Sequence, residues 1–268
     1  MAYLELKDIA KAFSGRKIFD GLSLTLDEGE FVSVVGASAT GKTTLLKIAC
    51  GLAEADSGTA TLAGQPVKGF SPAASVVFQN YSLLPWLSAL ENVRLAVESA
   101  FPKFNMEEQK AHSLKYLEMV GLGQAAFKKP SQLSGGMRQR VAIARAFAVE
   151  PSILFLDEPF GALDALTRAT LQRELAVMCS AQTKPVTVLM ITNSVEEAVL
   201  LSDRIHALSR TGASAGLSGG FSVDLPRPRA TEALMHDARA IEIKHQLTEF
   251  LTAGRKPKAA VKAEEVAA

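Results

Sequence analysis

The segment Val34-Val35-Gly36-Ala37-Ser38-Ala39-Thr40-Gly41-Lys42-Thr43-Thr44-Leu45-Leu46 constrains the fold more than any other stretch of this chain. Gly36, Gly41, Lys42 and Thr43 meet the pattern G-x-x-x-x-G-K-[ST]. The flanks give the pattern its context. Phe31 to Val35 reads as a short buried strand, and Thr43 to Cys50 reads as helix, with good formers and no proline. In a strand-loop-helix unit the loop N–H groups converge on phosphate oxygens, and the helix N-terminus adds the positive end of its dipole. Gly36, Ala37, Ser38, Ala39, Thr40, Gly41, Lys42, Thr43 and Thr44 are therefore candidate phosphate-binding residues. Lys42 is placed to reach the outer phosphates, and the Thr43 hydroxyl to hold Mg²⁺. Ala39 departs from the glycine-rich norm. Its methyl group restricts φ, which strains the cradle but removes neither the lysine nor the hydroxyl.

A second stretch, Ile153-Leu154-Phe155-Leu156-Asp157-Glu158, is an apolar strand ending in two carboxylates. Ligands of α/β sheets bind outside the carboxyl ends of strands, so both acids belong beside the first loop. Asp157 is placed to hold Mg²⁺, and Glu158 to polarise a water for attack on a γ-phosphate. Leu133-Ser134-Gly135-Gly136-Met137-Arg138-Gln139-Arg140 supplies another helix start suited to an anion, with Ser134 also an ordinary N-cap.

The remaining chain alternates strands and helices. Strands are expected at 4–10, 22–28, 31–35, 75–78, 152–156 and 186–191, with turns at Ser14-Gly15 and Glu28-Gly29. Ser57-Gly58 and Gly64-Gln65-Pro66 mark the ends of a short hairpin strand. Ser88 with Glu91, and Asn105 with Glu108, start helices inside a helical stretch at about 86–149. Residues 211–225 are rich in glycine and serine with strand-like pieces, a helix is expected at about 230–252, and 254–268 reads as a flexible tail. Apolar strands alternating with helices argue for an α/β fold with a parallel sheet covered on both faces.

Composition narrows the class. The 268 residues are 48% hydrophobic, enough for one large α/β domain or two small ones. Lys+Arg is 29 against Asp+Glu 28, so no global basic excess points to nucleic acid. Cys50 and Cys179 lie far apart, as expected of two buried free thiols in a reducing compartment. No apolar run has the length of a membrane span, and the N-terminus lacks the apolar region of a signal peptide. The expectation is a cytoplasmic chain whose membrane role comes through a partner.

Together these stretches resemble the ATP-binding subunit of an ABC transporter, over about residues 1–225 (with the C-terminal helix, 1–253 is taken as the domain). LSGGMRQR is similar to that family's signature. The resemblance implies an α/β P-loop NTPase fold: a RecA-like parallel sheet core, N-terminal antiparallel strands and a helical subdomain insertion. It also implies ATP and Mg²⁺ as ligands, and a head-to-tail dimer of ATPase subunits, homomeric or heteromeric. Each ATP would sit between the P-loop of one subunit and Ser134, Gly135, Gly136 and Gln139 of the other. Phe13 matches the aromatic residue that stacks on adenine, although a core phenylalanine is the alternative. Gln79 matches the glutamine that touches Mg²⁺ and senses the transmembrane partner. Gly161-Ala162-Leu163-Asp164 matches the loop that crosses the dimer seam. "NYSLLPWLSALENV" and "PFGALDALTR" look like the importer branch for nitrate, sulfonate, taurine and related small anions. That branch implies a membrane permease, a solute-binding protein and a peripheral place on the cytoplasmic face of the inner membrane. Trp86 either packs on the helical stretch or docks the permease.

One position departs from the family. In Ile191-Thr192-Asn193-Ser194-Val195-Glu196-Glu197-Ala198 the frame matches, but Asn193 stands where the switch histidine belongs. An amide donates a hydrogen bond but cannot become cationic. Weakened hydrolysis is the expectation, met either by a complete partner subunit or by tolerance of the loss. Two further classes stay open: a nucleotide-gated regulatory subunit with little turnover, and a soluble ABC ATPase without a transport role.

Overall fold

The computed structural model describes residues 2–161, 163–180, 185–211 and 214–253. Ala162, within the loop expected at a dimer seam, and the 254–268 tail lie outside the described residues. The chain opens with two long strands, β1 (Ala2–Phe13) and β2 (Arg16–Asp27), joined at Ser14 and Gly15, both at positive φ. Then follow β3 (Phe31–Val35), α1 (Lys42–Ala49), β4 (Ser57–Leu62), β5 (Gln65–Pro66) and β6 (Ala74–Val77). Helices α2 (Ala89–Ala100), α3 (Met106–Met119) and α4 (Gly135–Phe147) occupy the stretch before β7 (Ile153–Asp157). The chain continues through α5 (Ala165–Ser180), β8 (Thr187–Thr192), α6 (Val195–Leu201), β9 (Arg204–Thr211), β10 (Ser214–Leu217) and β11 (Phe221–Ser222), and ends in α7 (Thr231–His236) and α8 (Ala238–Ala253).

Among the described residues one sheet runs β5-β4-β1-β2-β10-β9-β3-β8-β7-β6, with β11 on β9. The half from β9 to β6 is parallel, and the β1, β2 and β4 half is antiparallel. The parallel strands are buried on both faces, which is why β3, β7 and β8 read as nearly continuous apolar runs. Alternate residues of each serve different cores. Val35, Leu154, Leu156, Val188 and Met190 pack under α2 to α6 and α8. Val34, Ile153, Phe155, Leu189 and Ile191 pack with α1, β1 and β2. Each fully buried Leu, Ile or Phe stabilises by about 1.5–3 kcal/mol, so the two-sided strands anchor the fold.

Local signals placed the helix starts. Ser88 with Glu91 and Asn105 with Glu108 form capping boxes, the first satisfying two and the second three otherwise unpaired N–H groups. One expectation needs correction, and one strand was not expected. The helix at 230–252 is two helices, broken at extended Asp237, whose Oδ1 accepts from the Ala240 N–H and starts α8. Strand β9 had no apolar run to announce it. Arg204 and His206 interrupt it; Arg204 reaches Glu30 at 2.8 Å, and His206 Nδ1 meets Ser218 O at 3.1 Å while its Nε2 has no partner among the described residues. The thiols are free, but only Cys50 belongs to a fully buried residue; Cys179 is intermediate. Burial raises both, to about 11 and about 12, so neither is a reactive thiolate. No described helix is long and apolar enough to cross a membrane.

Candidate active site

The parallel sheet places the ends of β3, β7 and β8 side by side. Val35 pairs with Thr192, and Asp157 with Ile191, so the three following loops share one edge. The loop after β3 carries residues 36–41. Gly36 is packed against the neighbouring strand: a Cβ there would lie 2.6 Å from Leu208 O. Gly41 holds φ 108 and contributes no capping side chain, so the first-turn N–H groups of α1 are left for another acceptor. Ala37, Ser38 and Ala39 are exposed and Thr40 is buried, its hydroxyl donating to Ala37 O at 2.8 Å. Ala39 takes φ 61, the conformation that glycine adopts without strain. The loop therefore keeps its shape and the alanine bears the strain.

Lys42 sits at the centre, 4% exposed. Its ammonium donates to Gly36 O at 2.9 Å, Ala37 O at 3.0 Å and Asn193 Oδ1 at 2.8 Å. Glu158 Oε1 lies 3.7 Å away. Burial pulls the Lys42 pKa down, while Glu158, then Asp157, push it back up. Thr43 Oγ1 donates to Asp157 Oδ1 at 3.1 Å. Burial raises Asp157 above the usual carboxylate range, the Thr43 bond opposes this, and nearby Glu158 adds to it. A hydroxyl paired with a buried carboxylate suits a hard cation that takes oxygen ligands, so Thr43 and Asp157 fit Mg²⁺. Glu158 adopts φ 46, and its N–H donates to Ile191 O at 2.9 Å, which ties the acid to β8.

Asn193 is exposed at the end of β8. Lysine offers only donors, so the amide oxygen must face Lys42 and the NH₂ group must be the outward one. The P-loop, Asp157, Glu158 and Asn193 thus come together as the sequence implied. Gln79 is exposed after β6 and, among the described residues, makes no hydrogen bond to Thr43 or Asp157. Phe13 is 52% exposed with Lys11 Nζ 5.4 Å from its ring, which excludes a core role. Ser134 is exposed and caps α4 through the Met137 N–H. Gln139 is 1% exposed, deeper in α4 than Gly135 and Gly136, with neither amide atom partnered among the described residues. Asp164 caps α5 by accepting from the Thr167 N–H at 3.0 Å, and backbone bonding holds its carboxyl below the usual range.

Three residues near the site escaped sequence reasoning. Arg145, reaching from α4, donates to Ser82 O at 2.6 Å and Tyr81 O at 3.0 Å, holding two residues with φ 46 and 64 just after Gln79. Glu197 and Arg168 lie behind the Asn193 loop. Only Glu197 carried a signal, the Ser194-x-x-Glu197 spacing of a capping box.

The ABC transporter family matches residues 19–161, which is more than half of the chain. The chain belongs to that family. It is 44% identical over 232 residues to the nitrate import ATP-binding protein NrtD of Synechococcus elongatus, covering 87% of this chain and 84% of that protein. It is 41% identical to the bicarbonate transport ATP-binding protein CmpD of the same organism, covering 93% and 90%. It spans only 39% of the length of the bicarbonate transport ATP-binding protein CmpC, at 43% identity over 96% of this chain. The solved dimer of MJ0796, a bacterial ABC transporter cassette, superposes with a TM-score of 0.73 at 30% identity, covering 83% of this chain and all of that one. This ABC ATPase cassette therefore has the P-loop NTPase fold, with antiparallel strands joined to a parallel core.

Proposed function

We propose that the chain binds ATP with Mg²⁺, hydrolyses it, and drives an importer for small anions of the nitrate, sulfonate or taurine type. The observation that carries this reading is the meeting of Lys42, Thr43, Asp157, Glu158 and Asn193 at one sheet edge. Lys42 and the loop N–H groups bind and orient the phosphates. Thr43 and Asp157 would hold Mg²⁺, with Gln79 as a further oxygen donor from the loop after β6, and the cation would supply charge neutralisation at the phosphate oxygens. Glu158 takes a proton from the attacking water. The Asn193 amide donates toward the γ-phosphate. Phe13 stacks on the base. A second subunit completes the site with Ser134, Gly135 and Gly136, and its Asp164 loop lines the seam; the burial of Gln139 takes it off that surface.

A membrane permease is the partner on the other face. An apolar groove of about 550 Å³ beside the Gln79 loop, lined by Leu52, Phe70, Phe78, Ala100, Arg145 and Val149, suits a permease helix. Trp86, 65% exposed, stands free to dock. The permease and a solute-binding protein would hold the cassette at the cytoplasmic face of the inner membrane. The choice of small anions rests on likeness to NrtD and CmpD, whose names specify nitrate and bicarbonate.

A second reading, a site of low turnover beside a complete partner, is favoured by Asn193 alone. Steady-state ATP hydrolysis and ATP affinity separate the two. A working motor hydrolyses at a rate that Asn193→His does not raise and Glu158→Gln abolishes. A chain that binds ATP, stays inert and regains turnover with Asn193→His is the low-turnover subunit.

A further inference from the structure

We propose that Glu197 and Arg168 are positioning residues that hold the Asn193 loop in register with the loop following Glu158. The inference rests on the ATPase reading and extends it to residues outside the nucleotide site.

Ser194 caps α6, accepting from the Glu197 N–H at 3.2 Å. The Ser194-x-x-Glu197 spacing would normally return the glutamate to the Ser194 N–H. Here it does not. Glu197 Oε2 instead accepts from Thr192 Oγ1 at 2.6 Å, and the Ser194 N–H donates to that same hydroxyl at 3.1 Å. An ionised carboxylate only accepts, so it fixes the Thr192 hydroxyl as its donor and leaves a lone pair aimed at Ser194. Asn193 is thus bracketed by one hydroxyl whose orientation Glu197 sets.

The other carboxylate oxygen faces Arg168. Glu197 Oε1 lies 3.9 Å from Arg168 Nε, an ion pair too long for a hydrogen bond, and Nε finds no hydrogen-bond partner among the described residues. The same guanidinium donates through Nη2 to Leu163 O at 2.9 Å. Leu163 lies in the loop that begins at Glu158. A continuous chain of polar contacts therefore runs from Leu163 through Arg168, Glu197 and Thr192 to Ser194. Its two ends are the loops that carry Glu158 and Asn193. Glu197 is 8% exposed, and burial raises its carboxyl above the usual range, with Thr192 and Arg168 opposing the shift. Apolar packing would fill this space without desolvating a carboxylate. The buried acid is explained by the loop it orients.

The test uses the full chain and three variants, Glu197→Gln, Arg168→Met and Arg168→Lys, each with Asn193 intact and with Asn193→Ala. Glu197→Gln and Arg168→Met are expected to lower kcat by about tenfold to a hundredfold, as small misplacements of a reacting group do, with ATP affinity unchanged. Arg168→Lys should recover part of the loss. In the Asn193→Ala background the same changes should add nothing, because the group they position is gone. Hydrogen exchange at the Ser194 amide should quicken in Glu197→Gln and Arg168→Met. If Glu197→Gln destabilises the fold, Thr192→Val removes the hydroxyl alone and must give the same pattern. Equal losses in both backgrounds, or an unchanged Ser194 amide, overturn the proposal. A wild type without hydrolysis overturns the ATPase reading instead, and Ser194 exchange still decides the positioning role.

Discussion

Removing the Asn193 side chain tests the centre of the site in two independent ways. The Lys42 ammonium has three N–H groups and three acceptors: Gly36 O, Ala37 O and Asn193 Oδ1. Asn193→Ala leaves one N–H without its partner on a side chain that is 4% exposed. A hydrogen bond to a charged group contributes about 1.5–3 kcal/mol. Asn193 itself is exposed, so water can enter the space left behind, and Glu158 Oε1 at 3.7 Å still attracts the ammonium. The loss should therefore fall near the low end, about 1.5 kcal/mol, which lowers the melting temperature by roughly 3–6 °C for a chain of this size. Turnover should suffer more. Deleting one preorganised donor to a developing anion costs about 10²–10³ in kcat. ATP affinity should change little, since Lys42 is freed rather than lost. The assays are a thermal melt without nucleotide and steady-state hydrolysis with Mg²⁺. An unchanged melting temperature would refute the Lys42–Asn193 bond as a contributor. An unchanged kcat would refute the amide as a donor to the γ-phosphate.

Two further outcomes follow from the same geometry. Ala39→Gly relieves a left-handed alanine, about 1–2 kcal/mol, against the larger unfolded-state entropy of glycine, about 0.4–1 kcal/mol; a net gain of about 1 kcal/mol should raise the melting temperature by roughly 2–4 °C, and a lower value would show that the loop does not hold φ 61. His206 is buried, its Nε2 has no partner among the described residues, and burial lowers its pKa below the ordinary histidine value. The unfolded state then binds more protons than the folded state below about pH 6.5, so stability is fully present above that pH and falls as the pH drops toward the lowered value. Denaturant melts of wild type and His206→Gln across that range should diverge, with the variant lacking this acid loss; parallel curves would refute it.

The site was legible where chemistry is local. Gly36, Gly41, Lys42 and Thr43 sit at fixed offsets in one loop, and Asp157 with Glu158 ends an apolar strand, so residue types and spacing were enough. Capping boxes at Ser88 and Asn105 were legible for the same reason, since each is completed within four residues. Asn193 was visible as a departure because its frame is local too.

What the sequence alone determined was therefore the P-loop, the acid pair, the two-sided strands and the presence of an asparagine just after β8. The tertiary structure decided the rest. β9 lies between β10 and β3, where Glu30, distant in the chain, pairs with Arg204, and Ser218 O meets His206 Nδ1. Glu197 faces Arg168, far earlier in the chain, only because α5 packs against α6. The Asn193 oxygen turns to Lys42 because parallel pairing of β3 and β8 sets their loops side by side. Hydrogen bonds within a few residues are written in the local sequence, whereas a polar group whose partner lies far along the chain acquires its role only when the sheet closes.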